Sequence, residues 1–550
     1  MKIENSILRG FYPDPSIIRV GEDYYLATST FEWWSGVAVH HSRDLKNWEL
    51  LTYPLNRVSQ LDLRGVGASQ GVWAPCLTYC EGIYYLVYTV VHSFYCNMYD
   101  TNNYLVTAGN IMGPWSEPIA LNNFGFDPSL FHDTDGRKYM VSMVTDHRVP
   151  KKYAGRLVLQ EYSPKKKCMI GKAQEIYTAD KIFLEGPHIF KRGDYYYLFS
   201  ADTGTGEAHG QTIQRSRSVW GPYEMYRADF MERTQDNEAY SILTTRHHPD
   251  YPLQKAGHCD LVETQTGEWY AVHLCGRPLE KRNSSDTPRF ADCRRYPLGR
   301  ETAIQKMRWT KDDWLEMANG TSLPEVIVEG PDLEEHPFFA KPVRDDFNKT
   351  KLDLCFQSLR IPMDEYYLSL TKRVGYLRLY GREGLGSKFA QSLIARRWSE
   401  FLFEASTKIE FAPEVFKQMA GLICLYDNEN YFYLHLTWDE EIGKCLTLLR
   451  SENKKCDYPI GFLSIPENCA IYLRVSVHYD TIVFFYAIEE NQWILLGESY
   501  DCSFLSDEAC KEGWFTGAMV GLCCQDLTGA GVYADFDWFE YKTGERKNDE

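Results

Sequence analysis

Apolar and polar positions along the first 310 residues follow no helical period and fall instead into short, aromatic-rich strands that recur. Tyr24-Tyr25-Leu26, Tyr84-Tyr85-Leu86, Lys138-Tyr139-Met140, Tyr195-Tyr196-Tyr197-Leu198 and Trp269-Tyr270-Ala271 are five copies of one pattern, 54 to 74 residues apart. Each follows a turn carrying Gly or Asp, such as Gly21-Glu22-Asp23 or Asp135-Gly136-Arg137, as a hairpin requires. Three copies close with a similar outer segment, ending in Asn47-Trp48, Gly113-Pro114-Trp115 and Gly221-Pro222-Tyr223. A strand repeat of this length predicts radially arranged four-stranded sheets, a propeller.

Ten to twelve residues ahead of each aromatic strand stands a second motif: Asp14-Pro15-Ser16, Trp73-Ala74-Pro75, Asp127-Pro128-Ser129, Glu185-Gly186-Pro187 and Gly257-His258-Cys259-Asp260. The first strand of a propeller blade lies innermost, so equivalent positions of successive blades face one central cavity. Asp14, Asp127 and Glu185 are therefore expected to converge, joined by His258 and walled by Trp73. Alone, an Asp-Pro opens turns in many proteins. Three acids at equivalent repeat positions ask for a common explanation.

Beyond Trp314 the pattern dissolves into Asn319-Gly320 and Glu329-Gly330-Pro331-Asp332, the composition of a connecting segment over 316–342. Alternating strands return over 343–550, as in Tyr431-Phe432-Tyr433-Leu434-His435-Leu436 and Ile471-Tyr472-Leu473-Arg474-Val475. They predict a two-sheet sandwich, making the whole chain all-β with a propeller domain over 1–315 followed by the sandwich.

Composition narrows the partners. A formal net charge of -17 with no basic run disfavours nucleic acid, whose binding relies on Lys and Arg displacing counterions. No stretch approaches the roughly 20 apolar residues of a membrane span, and the start Met1-Lys2-Ile3-Glu4-Asn5-Ser6 lacks a charged-then-apolar signal segment. A cytoplasmic protein is expected. The 16 Cys scatter without metal spacing, apart from the close pairs Cys76/Cys80 and Cys523/Cys524, and read as reduced, mostly buried thiols. Aromatics reach 15%, which sheet cores absorb in part and which also suits stacking on sugars.

Crowded carboxylates in a partly desolvated cavity cannot all ionise easily, so one keeps its proton near neutrality while another stays a base. Glycosidic cleavage needs that pair. Metal binding is the competing chemistry, although neither an EF-hand loop nor a His-x-x-x-His pair is present. A non-catalytic sugar-binding propeller is a third reading; it leaves the three acids without a task.

The ordered set Phe11-Tyr12-Pro13-Asp14-Pro15-Ser16, Gly71-Val72-Trp73-Ala74-Pro75, Phe124-Gly125-Phe126-Asp127-Pro128-Ser129, Glu185-Gly186-Pro187-His188, Gly257-His258 and Pro297-Leu298-Gly299-Arg300-Glu301-Thr302 resembles the motif series of glycoside hydrolase family 43, and best its two-domain β-xylosidases. The similarity runs nearly end to end. It implies a five-bladed propeller with a jelly-roll, concanavalin-like sandwich, and exo hydrolysis of 1,4-β-xylo-oligosaccharides from the non-reducing end with inversion. The alternative within the class is a primary α-L-arabinofuranosidase. By the resemblance Asp14 is the general base, Glu185 the general acid, and Asp127 the third acid that raises the proton affinity of Glu185 and orients it. Arg300 matches an arginine that hydrogen-bonds the terminal sugar and Asp127. Phe31, Trp73 and Thr205 match residues lining two sugar subsites. Trp514-Phe515-Thr516-Gly517 matches a sandwich loop that brings an aromatic ring, here Phe515, to the pocket mouth. No cofactor is required; in parts of the family a calcium or other divalent ion lies by the histidine that His258 matches, and that alternative stays open. A homo-oligomer, dimer or tetramer, is expected. The stretch from Tyr226 to Gln254 is longer than the usual connection, and its Arg246-His247-His248-Pro249 either rims the pocket or meets a neighbouring subunit.

Overall fold

The computed structural model describes residues 1–95, 98–148, 155–179, 181–235, 237–279 and 294–544. Among these there is no α-helix. Five antiparallel sheets follow one another in the chain, four of four strands and the fourth carrying a fifth, with inner strands Ser16–Val20, Gly71–Cys80, Ser129–His132, Leu184–Arg192 and Gln254–Glu263. The recurring aromatic segments are their second strands: Asp23–Thr28, Ile83–Tyr95, Lys138–Met143, Tyr195–Asp202 and Trp269–Gly276. Each inner strand touches the inner strands of its neighbours, and the fifth touches both the first and the fourth, so the ring closes into a five-bladed propeller.

Closure uses both main chain and side chains: the segment leading into blade one bonds to blade five, with Ile7 N donating to the Thr302 carbonyl at 2.9 Å and Tyr12 N to the Arg300 carbonyl at 3.1 Å. Asp260 of blade five accepts from Ser16 Oγ at 2.9 Å and from the Ile17 amide at 2.8 Å in blade one. All four strands of blade five lie within residues 254–317. The first strand, Lys2–Glu4, pairs instead with Ile327–Glu329, and Asn5 Nδ2 donates to the Ile304 and Glu325 carbonyls at 2.8 Å each. The connecting segment therefore runs along the propeller, held by main-chain and amide hydrogen bonds.

The second half forms two large antiparallel sheets facing one another across a core of Leu, Ile, Val and Phe, including Leu422, Leu434, Leu473, Phe484 and Phe536, all nearly inaccessible. The domains are stitched tightly. Trp33–Trp34 of the propeller pairs with Gln357–Leu359 and so extends a sandwich sheet. Arg277 grips Glu301 at 2.6 Å and reaches Glu400 at 3.3 Å, while Arg397 Nε donates to the Phe11 carbonyl at 2.5 Å. These contacts tie residues 397–400 of the sandwich to the propeller.

Candidate active site

One cavity of about 280 Å³ is lined by Asp14, Asp127, Glu185, Phe31, Trp73, Thr205, His258, Arg300 and Phe515 together. The three acids and the six proposed binding residues thus reach the same space, whereas Arg246, His247 and His248 do not line it. Asp14 and Asp127 stand just ahead of the inner strands of blades one and three, and Glu185 lies within that of blade four. Asp14, Asp127 and His258 all take left-handed backbone conformations, with φ of 55°, 51° and 56°. Such backbone costs of order 1–3 kcal/mol per residue and clusters where a side chain must be aimed. Gly186 shares it, at φ 54°, and a Cβ there would sit 2.7 Å from the His258 ring. That glycine lets its own amide donate to Asp127 Oδ2 at 3.0 Å, tying the third acid to the residue after Glu185.

Asp14 is gripped from two sides: Ser29 Oγ donates to Oδ2 at 2.6 Å and Arg300 Nη1 to Oδ1 at 2.6 Å, with His258 Nδ1 at 3.8 Å. Arg300 was expected on Asp127; the structure turns its guanidinium to Asp14, with Nη2 donating to the Phe515 carbonyl at 3.2 Å. Asp127 accepts from the Gly186 amide, and Asp14 takes both Ser29 and Arg300. Burial, followed by the charge of Asp14, pushes Glu185 up to about 7. Burial, then the charges of Glu185 and Asp14, pushes Asp127 well above the ordinary carboxylate range. Asp127 is thus itself a proton holder. The charge of Glu185 contributes to the raised affinity of Asp127, and near neutrality the three carboxyls carry fewer than three charges. His258 is driven down to about 4, chiefly by burial, and stays neutral.

The walls are aromatic. Trp73 lies edge-on to Phe126 and Phe515, with ring centroids 5.0 and 5.3 Å away, and 6.2 Å from Phe31. The Trp73 indole donates to the Ser69 carbonyl at 2.9 Å, and Ser69 Oγ accepts the Phe515 amide at 3.0 Å. Arg300 Nε and Thr205 Oγ1 are buried polar atoms that find no protein partner among the described residues. Both belong to side chains that line the cavity. Sequence reasoning missed Tyr99, Phe126, Phe183, Lys255 and Asp507, which also line the cavity. Phe126 was adjacent to a recognised acid, and Lys255 lies on the inner strand of blade five three residues before His258; Asp507 lies outside the repeat and gave no signal.

A cation beside His258 does not fit these residues as direct ligands. Among the described residues no three His, Cys, Asp or Glu side chains are placed to hold one, and the nearest carboxylate, Asp14, already accepts from Arg300 and Ser29.

Models of two protein families match the chain: glycosyl hydrolases family 43 over residues 3–315 and the β-xylosidase C-terminal concanavalin A-like domain over 344–542. The chain belongs to glycosyl hydrolase family 43. A β-xylosidase of Bacillus subtilis (strain 168) is 46% identical over 547 residues, 98% of this chain and 100% of the relative. The xylosidase/arabinosidase 43B of Humicola insolens is 43% identical over 560 residues, 100% of this chain and 99% of the relative. The crystal structure of a xylan β-1,4-xylosidase from Bacillus halodurans C-125 superposes with a TM-score of 0.93 at 47% identity, covering 98% of this chain and 100% of that one. Family membership fixes the class of reaction, hydrolysis of a glycosidic bond, for a cavity holding three carboxyls.

Proposed function

We propose that the protein is an exo-acting β-xylosidase that removes xylose from the non-reducing ends of 1,4-β-xylo-oligosaccharides with inversion. The observation that carries this reading is the pairing of unlike carboxyls in one small aromatic cavity. Asp14 is held by a cation and a hydroxyl and serves as the base for water. Glu185 is pushed up to about 7 and so still holds a proton to give to the leaving oxygen near neutrality. Asp127, bonded to the Gly186 amide, orients the acid and shares its proton. Arg300 and Thr205, with unspent donors, bind sugar hydroxyls, while Phe31, Trp73 and Phe515 pack on the ring faces. A cavity below the roughly 300–1,000 Å³ of drug-sized sites, walled on the sandwich side by Phe515, suits a chain end rather than a chain middle. Side chains and water suffice for each of these steps.

Relatives named as β-xylosidases and as a xylosidase/arabinosidase support the substrate class and a second activity on terminal α-L-arabinofuranosides. The reading further includes a cytoplasmic location and assembly into a dimer or tetramer; no helix of the described chain is long and apolar enough to cross a membrane. Proton NMR during xylobiose hydrolysis tests the reaction: α-xylose should appear first, and β-xylose appearing first would overturn inversion. Rates on nitrophenyl β-xyloside and α-arabinofuranoside rank the two activities, and a dominant arabinoside rate would reverse their order.

A further inference from the structure

The long connection after blade four reaches beneath the site instead of rimming it. Glu232–Arg233 and Tyr240–Ser241 form a hairpin, and Leu243–Thr244 adds to the blade-four strand Gly210–Ser216. The chain then turns Arg246 inward. Its guanidinium is 4% exposed and pairs through Nη2 with Asp202, whose carboxylate is fully buried and also accepts from Ser241 Oγ at 2.9 Å. Arg246 Nε donates to Thr244 Oγ1 at 3.1 Å and Nη2 to Ser241 Oγ at 2.9 Å. Space for this comes from Gly210, where a Cβ would lie 2.1 Å from Arg246 Nη2 and 2.8 Å from Asp202 Oδ2.

Asp202 ends the strand that pairs with the one bearing Glu185; the ladder sets Leu184 opposite Asp202 and Glu185 opposite Ala201. It also roots the cavity loop Thr203-Gly204-Thr205-Gly206. We propose that Arg246 and Asp202 act as positioning residues for Glu185, a buried, charge-balanced pair through which the connection after blade four holds the acid strand and sets the field behind it. This rests on Glu185 being the general acid. Around Glu185 stand Asp14 from blade one, Asp127 from blade three, and Arg300 and His258 from blade five. Lys255 of blade five and Asp507 of the sandwich line the same cavity. Of these groups Asp14 and Asp202 push its proton affinity up and Arg300 pulls it down. Asp202 is the one member screened by a cation that does not line the cavity.

The experiment is the pH dependence of kcat/KM on xylobiose, with thermal melts to confirm folding. Asp202→Asn leaves Arg246 unopposed and should move the alkaline limb down by about half a unit or more, since an unscreened cation favours the ionised acid. Asp202→Asn combined with Arg246→Met removes both charges and should return the limb to within about 0.2 unit of its starting position, on the same reasoning. Arg246→Lys should leave it in place. If Asp202→Asn does not fold, Arg246→Gln carries the test alone, with an upward shift expected. A limb unmoved in every folded variant, or moved equally by the single Asp202→Asn and the double change, would overturn the proposal. Glu185→Ala separates the two claims: it should abolish the alkaline limb on xylobiose and spare activity on nitrophenyl xylosides, whose leaving group needs no proton. If it does neither, the assignment of the acid is at fault.

Discussion

The propeller side of the cavity is made by repetition, with Asp14, Asp127, Glu185 and His258 at matching places in four blades, whereas the sandwich side is made by a single loop carrying Asp507, Trp514 and Phe515. The two sides also differ in what holds them. Backbone ladders and left-handed turns aim the acids. The loop is pinned by isolated contacts: the Phe515 amide on Ser69 Oγ, the Ala518 amide on the Pro297 carbonyl at 2.7 Å, and Glu508 on Lys255 Nζ at 2.6 Å. The lesson is a division of labour. On the proposed function, bond breaking belongs to the repeated scaffold and access to the appended one, so variants of the first should change kcat and variants of the second KM or stability.

The largest effect should come from the propeller side. Asp14→Ala removes the base and should lower kcat/KM by about 10²–10⁴-fold, equally on nitrophenyl xyloside and xylobiose, because no leaving group replaces an activated water. Steady-state rates on both substrates check this; a strong preference for the nitrophenyl substrate would move Asp14 out of the base role. Next comes the seam. Lys255 is buried between Glu508 and Asp507, at 2.6 and 3.7 Å. Lys255→Met strands two carboxyls and should cost about 3–5 kcal/mol. Burial pushes Asp507 up to about 7, so it is neutral at pH 5 and charged at pH 8, and the loss should be smaller at pH 5. Thermal melts at both values decide, and a pH-independent loss would mean that packing rather than charge holds the loop.

A third test turns on sign. Glu185 has a folded proton affinity near 7, above its unfolded value of about 4.3. The folded state therefore binds the proton more tightly, and stability is withdrawn as pH rises from about 4 to about 7. Glu185→Gln removes that cost and should stabilise the protein by about 1–3 kcal/mol at pH 8, with little change at pH 4. Equal shifts at both pH values would show that the acid carries no raised affinity. The same shift predicts that activity falls as pH climbs through about 7, when the acid loses its proton.

What the sequence disclosed follows the same division. The repeat exposed the blades, and through them the acids, because each sits at a fixed distance from an aromatic strand that periodicity reveals. Arg300 was found by resemblance, but its partner was misplaced: which of two neighbouring carboxylates an arginine meets is set by its approach in three dimensions, here onto Asp14 Oδ1, and has no signature in the sequence. Lys255 with Asp507, and Arg246 with Asp202, were invisible. Each pair joins distant segments through a burial that the sequence pattern does not encode; Arg246 was read as part of a pocket rim or a subunit contact and lies instead on buried Asp202.

The smallest expected effect separates the two sides most cleanly. Phe515 touches the site in two ways: its main chain accepts from Arg300 and donates to Ser69, and its ring lies 6.0 Å from Phe31 and 5.3 Å from Trp73. Phe515→Ala keeps the main-chain bonds and deletes the ring alone, so Arg300 should stay on Asp14 and the acids should keep their geometry. What is lost is apolar surface against the sugar, a contact made alike in ground and transition states. Loss of such uniform binding raises KM and leaves kcat nearly unchanged. Given about 25 cal/mol per Å² and the part of a ring that one sugar covers, roughly tenfold is expected. Steady-state kinetics on xylobiose and xylotriose provide the check. A fall in kcat matching the rise in KM would show that the sandwich ring helps to align the acids, and the division between the two sides would not stand.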